Sequence, residues 1–170
     1  MRPIVPKQQV RQYVYAYAAV APQLGLITCL ILPSANPKMM NLFLAQVAQE
    51  FGDYFVIFQL DKARSLTGGS CPPSSFASWH RSHCLTVPEN IRLIFQPASS
   101  PELMPVEHIW QALRANYFYN QVFSSIEQVE DVLCQGLFEL SSDRERLRSI
   151  TFFPYLKILP LSATSYQYEA

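Results

Sequence analysis

Residues 88–110 read PENIRLIFQPASSPELMPVEHIW, and the rest of the chain is organised around them. Ile91–Phe95 is a short apolar run that predicts a strand, and it passes into a Pro/Ser loop that delivers Glu107 to the first turn of a helix. The helix is expected from periodicity, because Val106, Ile109, Trp110, Leu113 and Tyr117 recur at helical spacing. Pro105 stands at the first helical position, where the N–H it lacks would have no partner anyway. Glu107 follows in the same turn, at the end of the helix where the dipole favours negative charge. Gln111 and Arg114 share its polar side, so Glu107 is expected to face away from the Trp110 stripe. A carboxylate held between a strand end and a helix start is a candidate metal ligand.

A second candidate lies upstream. Residues 54–60, YFVIFQL, are nearly all apolar and too few for an independent helix, so they predict a strand buried in the sheet interior. The run ends at Asp61. A carboxylate at the carboxyl end of a buried strand lies where open α/β sheets place their ligands, although composition alone favours an Asp that merely begins a turn. Before it, residues 13–20 and 26–32 predict two strands joined by a hairpin at Pro22-Gln23-Leu24-Gly25. Asn36-Pro37 then offers a cap and a first-turn proline, and Met40, Phe43, Leu44, Val47 and Phe51 form the apolar face of a helix stopping at Gly52. After the Glu107 helix, Ser124-x-x-Glu127 has the form of a capping box, and Ile126, Val129, Leu133, Leu137 and Leu140 give the next helix its buried face. Residues 143–148, DRERLR, predict a solvated helix or turn. Residues 150–161 are apolar and broken by Pro154 and Pro160, suited to a terminal strand or a docking segment. No internal repeat is visible.

Composition narrows the field. At 170 residues the chain fits one domain with a substantial core. Hydrophobic residues make up 49% and charged residues 15%, which argues against disorder. Lys+Arg and Asp+Glu balance at 13 each, so the chain lacks the basic surplus that grips nucleic acid unaided. No apolar stretch approaches a membrane span. The four cysteines, at 29, 71, 84 and 134, have no disulfide-framework spacing and point to a reducing cytoplasm. Arg2, Lys7 and Arg11 ahead of residues 13–21 loosely mimic a secretory signal, but that stretch is Tyr-rich and runs directly into a second strand pattern. Cys71, His80, His83 and Cys84 are irregularly spaced, and adjacent His83 and Cys84 converge poorly on one ion, so they are read as unligated loop residues. The alternative, a metal-loop binding domain over 71–84, requires bound zinc in the purified protein.

The 88–110 stretch resembles the DDE transposases of bacterial insertion sequences, in the branch related to mariner elements. In that family the third acidic residue sits in a pattern close to PENI-x-L, Pro, SPEL-N-P-[IV]-E-x-x-W. Pro88-Glu89-Asn90-Ile91, Ser100-Pro101-Glu102-Leu103 and Pro105-Val106-Glu107-x-x-Trp110 match it. Met104 stands where the family has Asn; Met lacks the oxygen that would cap the helix, a loss of about 1 kcal/mol. Leu60-Asp61-Lys62-Ala63 resembles the family's LD-x-A around its second acid. The family then passes quickly to a Trp-His pair, whereas here residues 64–78 intervene before Trp79-His80. Either about fifteen residues are inserted, at modest loop-closure cost, or a reading frame has shifted. Alignment on Trp79-His80 moves the acid's position to Ser75, which is no carboxylate.

The resemblance implies an α/β, RNase H-like mixed sheet flanked by helices, over residues 1–155 with a tail at 156–170. It implies DNA, both element ends and target, as substrate. It also implies two Mg2+ or Mn2+ ions held by three carboxylates, of which Asp61 and Glu107 are the second and third. The first belongs on a strand ahead of residues 13–20, yet no Asp or Glu precedes Glu50, and Arg2-Pro3 resembles the family's Arg-Pro just after that strand. The sheet is therefore expected to lack its first strand and the domain its DNA-binding region. The expectation is an inactive or partner-dependent transposase fragment. Its partner is a homodimer mate or an upstream transposase half. The alternative is a non-enzymatic module that docks with that half.

Overall fold

The computed structural model describes residues 12–60, 85–96, 100, 103–154 and 156. Strands β1 (Tyr15–Ala21) and β2 (Leu26–Leu32) form an antiparallel hairpin, with Tyr15 opposite Leu32 and Ala21 opposite Leu26. Its turn falls on the expected residues. Gly25 has φ +62°, which glycine adopts without strain, and a Cβ there would collide with the Arg144 carbonyl oxygen and come within 2.8 Å of Arg148 Cγ.

Helix α1 (Pro37–Glu50) starts as its sequence dictates: the Asn36 side chain accepts from the Met39 N–H at 3.0 Å, and Pro37 follows. Met40, Phe43, Leu44, Val47 and Phe51 are all buried. At the far end, Asn90 Nδ2 donates to the Ala48 and Phe51 carbonyls at 3.1 and 3.3 Å, satisfying acceptors that a helix terminus leaves open. The Asn of the PENI stretch is thus a clamp between α1 and the strand that follows it.

Strand β3 (Val56–Leu60) pairs in parallel with β4 (Ile91–Phe95), Val56 opposite Ile91 and Leu60 opposite Phe95. The long intervening segment is what a parallel pair requires. Helix α2 (Pro105–Leu113) continues into a wider π-helical turn (Arg114–Phe118), then α3 (Ile126–Ser142) and α4 (Arg144–Thr151) complete the described chain. The fold is therefore α/β.

Among the described residues the strands form two separate two-stranded sheets. Three sequence expectations need correction. The strand at 54–60 begins at Val56 and is not a buried interior strand: Phe58 is buried, but Ile57 is 54% exposed. Among the described residues it has one strand neighbour and one covered face, so periodicity reasserts itself. The capping box lies one residue along: Ser125 accepts from Gln128 N, and Gln128 Oε1 accepts from Ser124 N at 3.0 Å. Residues 150 and 151, read as the start of a terminal strand or a docking segment, do not begin a strand but close α4, whose N-cap Asp143 accepts from Arg146 N at 2.9 Å.

Two apolar clusters organise these elements. In the first, α1 lies over one face of both sheets: Tyr17 of β1, Phe58 of β3 and Ile91 of β4 pack with Met40, Phe43, Leu44 and Val47. Phe43 touches both sheets at once, its ring 5.5 Å from Tyr17 and 6.2 Å from Phe58. The second cluster covers the other face of the hairpin, where Ala16, Ile27, Cys29 and Ile31 meet Ile109, Leu113, Leu133, Leu137, Leu140 and Leu147. Each such burial contributes about 1.5–3 kcal/mol. Among the described residues, no helix is long and apolar enough to cross a membrane.

Candidate functional site

Glu107 stands in the first turn of α2 as the sequence predicts, half-buried, while Gln111 and Arg114 on its side are exposed. The apolar stripe of the same helix is spent on the core, with Ile109 and Leu113 buried. Met104 is the N-cap in extended conformation and makes no side-chain cap bond, as expected from its chemistry. The Glu107 N–H instead donates to the Met104 carbonyl at 3.0 Å, and the Leu103 N–H closes a turn onto Ser100 at 3.1 Å. Next to Glu107, the His108 ring packs edge-on against Phe153 at 4.8 Å, which braces the helix start against the end of α4.

What fixes the helix start is a pair of glutamines. Gln96, only 4% exposed, follows β4; its N–H donates to the Leu60 carbonyl at 3.0 Å and its Nε2 to the Ser100 carbonyl at 3.1 Å. Gln59 Nε2 donates to Gln96 Oε1 at 3.0 Å and to the Leu103 carbonyl at 3.2 Å. The carboxyl ends of β3 and β4 are thereby laced to the residues just ahead of α2. Buried amides hold such geometry firmly, because leaving one unpaired costs about 1–3 kcal/mol. Sequence reading passed over both. The signal was present: Gln59 interrupts an otherwise apolar YFVIFQL, and a polar side chain in such a strand must find partners.

The described part of β3 ends at Leu60, and Asp61 lies outside the described residues, as do Ser75 and Cys71, His80, His83 and Cys84. Among the described residues, no group of three or more His, Cys, Asp and Glu side chains is gathered as a metal site. Glu107 supplies a hard oxygen donor at the edge of solvent, the ligand type that Mg2+ and Mn2+ take. Among the described residues, burial, with the Glu50 charge adding to it, pushes the Cys29 thiol up to about 12, so it stays a thiol at neutral pH.

Comparison with known proteins assigns the family. A protein of Sinorhizobium fredii (strain NBRC 101917 / NGR234), named "Uncharacterized protein y4pE/y4sA", is 30% identical over 139 residues, covering 81% of this chain and 93% of that protein. No solved structure matches. The family model described as DDE superfamily endonuclease matches residues 1–130, a span that runs through β1 to the start of α3 and contains both Asp61 and Glu107. The chain belongs to the DDE superfamily endonucleases.

Proposed function

We propose that this chain serves DNA transposition as the carboxyl-terminal part of the catalytic domain of an insertion-sequence transposase, in the mariner-related branch. We further propose that it depends on a partner for activity. The observation that carries the reading is the placement of Glu107, in the first turn of α2 and laced by Gln59 and Gln96 to the ends of β3 and β4, within the span of the family match. Residues 1–155 form the partial domain, RNase H-like in plan, with 156–170 as a tail. The protein acts in the cytoplasm on DNA, at element ends and target.

Asp61 and Glu107 are the residues that would hold Mg2+ or Mn2+; two carboxylates suit hard cations. When bound, such ions activate water and stabilise the departing 3′ oxygen of a cleaved strand. The protein's own share is to aim Glu107 and keep its helix start fixed. On this reading the partner, the upstream half of the transposase or a second copy, supplies the remaining carboxylate. A near-neutral chain also needs that partner for its grip on DNA.

The test is metal-dependent nicking of labelled DNA carrying the element ends, by this chain alone and with the upstream-encoded segment added. Nicking only in the mixture, abolished by Glu107→Gln, is expected. Nicking by the chain alone overturns partner dependence, and none in either case overturns the catalytic reading. A second reading, a non-enzymatic module that docks with the upstream half, is favoured by the uncovered face of β3 and β4, where Ile57 and Ile94 are exposed. Its signature is a stable complex of the two halves with no nicking; separate elution of the two removes it.

A further inference from the structure

We propose that the outward side of α2 is a track for a DNA strand, on which Arg114, with Gln111 beside it, grips a backbone phosphate a few nucleotides from the one cleaved at Glu107. The proposal rests on the transposase reading above and adds to it the residues that hold the strand. Glu107, Gln111 and Arg114 stand four and then three residues apart, so they line one side of the helix. The backbone at Arg114 is still helical, with φ −58° and ψ −44°. Gln111 and Arg114 are exposed and Glu107 is half-buried, while Ile109 and Leu113 on the other side are buried in the core.

Two features single out Arg114. The first is how its side chain is held. Nε donates to the Trp110 carbonyl at 3.2 Å, and among the described residues the guanidinium has no other partner. One of its five N–H donors thus fixes the side chain to its own helix, and the other four remain as a fork that matches phosphate oxygens. Other arginines are placed differently: Arg146 is half-buried and acts on Glu139, and Arg148 shares an open cleft with Glu145. The second feature is the shape of the helix. Regular α-helical spacing would bring residue 118 next onto the Glu107 side and put a phenylalanine there. Arg114–Phe118 instead form a π-helical turn, and Phe118 packs with the second cluster, its ring 5.6 Å from Phe123. The Glu107 side of the helix therefore stays polar to its end, and such turns are frequent at functional sites. Spacing and charge define the ligand. From Glu107 to Arg114 a helix advances about 10 Å, and phosphates of one DNA strand rise about 3.4 Å each. A strand laid along α2 thus brings Arg114 against about the third phosphate from the one at Glu107. A placed arginine also suits a chain of zero net charge, whose own hold on DNA has to come from individual contacts rather than from a basic surface.

The test is an NMR titration of the isotopically labelled full chain, at low salt, with a short DNA duplex of arbitrary sequence, because phosphate contacts carry no sequence information. This readout detects weak binding, which suits a chain without a basic surplus. The arginine Nε–H signals are followed, that of Arg114 being identified by its loss in Arg114→Lys. The Arg114 signal and the Gln111 side-chain amide are expected to shift more than the signals of Arg92, Arg144 and Arg148. Arg114→Gln should weaken binding several-fold and reduce the slope of log K against log salt by about 0.9, the share of one phosphate, whereas Arg114→Lys should keep the slope. No shift of Arg114 at millimolar duplex, equal shifts of all these arginines, or an unchanged slope in Arg114→Gln overturns the proposal. An equal shift with inorganic phosphate at the same phosphate concentration assigns a general anion site and also overturns it. The outcome is separable from nicking. A selective shift of Arg114 without nuclease activity sinks only the catalytic reading; nicking restored by the upstream half and unaltered by Arg114→Gln sinks only the strand track.

Discussion

Phe43→Ala should be the most damaging single truncation in the described core. Phe43 is 2% exposed, and its immediate neighbours Leu44 and Val47 are buried as completely, so the site has little freedom to collapse around a deleted ring. Truncating a buried Phe to Ala costs about 3–5 kcal/mol. Two ring contacts, at 5.5 and 6.2 Å, each add about 0.5–1.5 kcal/mol beyond area burial, which places the expected loss at the upper end. Domains of this kind hold about 5–15 kcal/mol in total, so the variant keeps at most part of its stability. The assay is urea unfolding followed by far-ultraviolet circular dichroism in reducing buffer. With a slope near 2 kcal/mol per molar, the midpoint should fall by roughly 2 M. Phe43→Leu, which keeps most of the volume, should lose less than about 1.5 kcal/mol. Leu42→Ala, at an exposed position of the same helix, should stay within about 0.5 kcal/mol of the parent. A loss below about 1 kcal/mol for Phe43→Ala would refute the claim that this ring joins the two sheets.

Three further outcomes are expected. Gly25→Ala should lower the melting temperature by roughly 10 °C, because it combines a strained positive φ with a clash against the α4 backbone worth about 2–4 kcal/mol together; an unchanged melting curve would show that the hairpin does not pack against α4. The Tyr117 hydroxyl donates to Glu139 at 2.5 Å, which lowers the Glu139 carboxyl pKa and raises that of Tyr117. Its stability contribution is then present at neutral pH, lost as pH falls through the lowered Glu139 value and lost again as pH rises through the raised Tyr117 value; in Tyr117→Phe, an NMR titration of Glu139 should move up towards an ordinary carboxylate, and no movement would disprove the bond. Peptide mapping after iodoacetamide treatment at pH 8 should find exposed Cys134 alkylated well before half-buried Cys29, because partial burial holds Cys29 as a thiol; equal labelling of both in the folded protein would contradict that placement.

The local features were legible because they rest on neighbouring residues. Asn36-Pro37, the Pro22–Gly25 turn and the Met40-Phe43-Leu44-Val47 stripe each specify their structure within one or two turns, and all appear as read. Met104 as a cap without a cap bond was equally visible, since a thioether has no oxygen to offer. What the sequence concealed was non-local. YFVIFQL looks buried on both sides, but burial depends on what lies across the sheet, and nothing described covers Ile57. The one-residue shift of the capping box has a similar origin: Ser124 and Ser125 are both competent caps, and Gln128 rather than Glu127 reaches back to close the box. The glutamine lacing was hidden for the same reason, because Gln59 and Gln96 are 37 residues apart and gain meaning only when β3 and β4 lie side by side.

That lacing links the candidate site to the stability of β3 and β4. A helix whose N-cap is a methionine has a loosely defined start, yet Glu107 needs a definite one. Here the definition comes from outside the helix: Gln59 holds the Leu103 carbonyl and Gln96 holds that of Ser100, so α2 begins where the ends of β3 and β4 place it. Among the described residues those strands pair only with each other, and a pair of strands alone is marginally stable in water. Any fraying of β3 releases Gln59 and with it the anchor of the Glu107 turn.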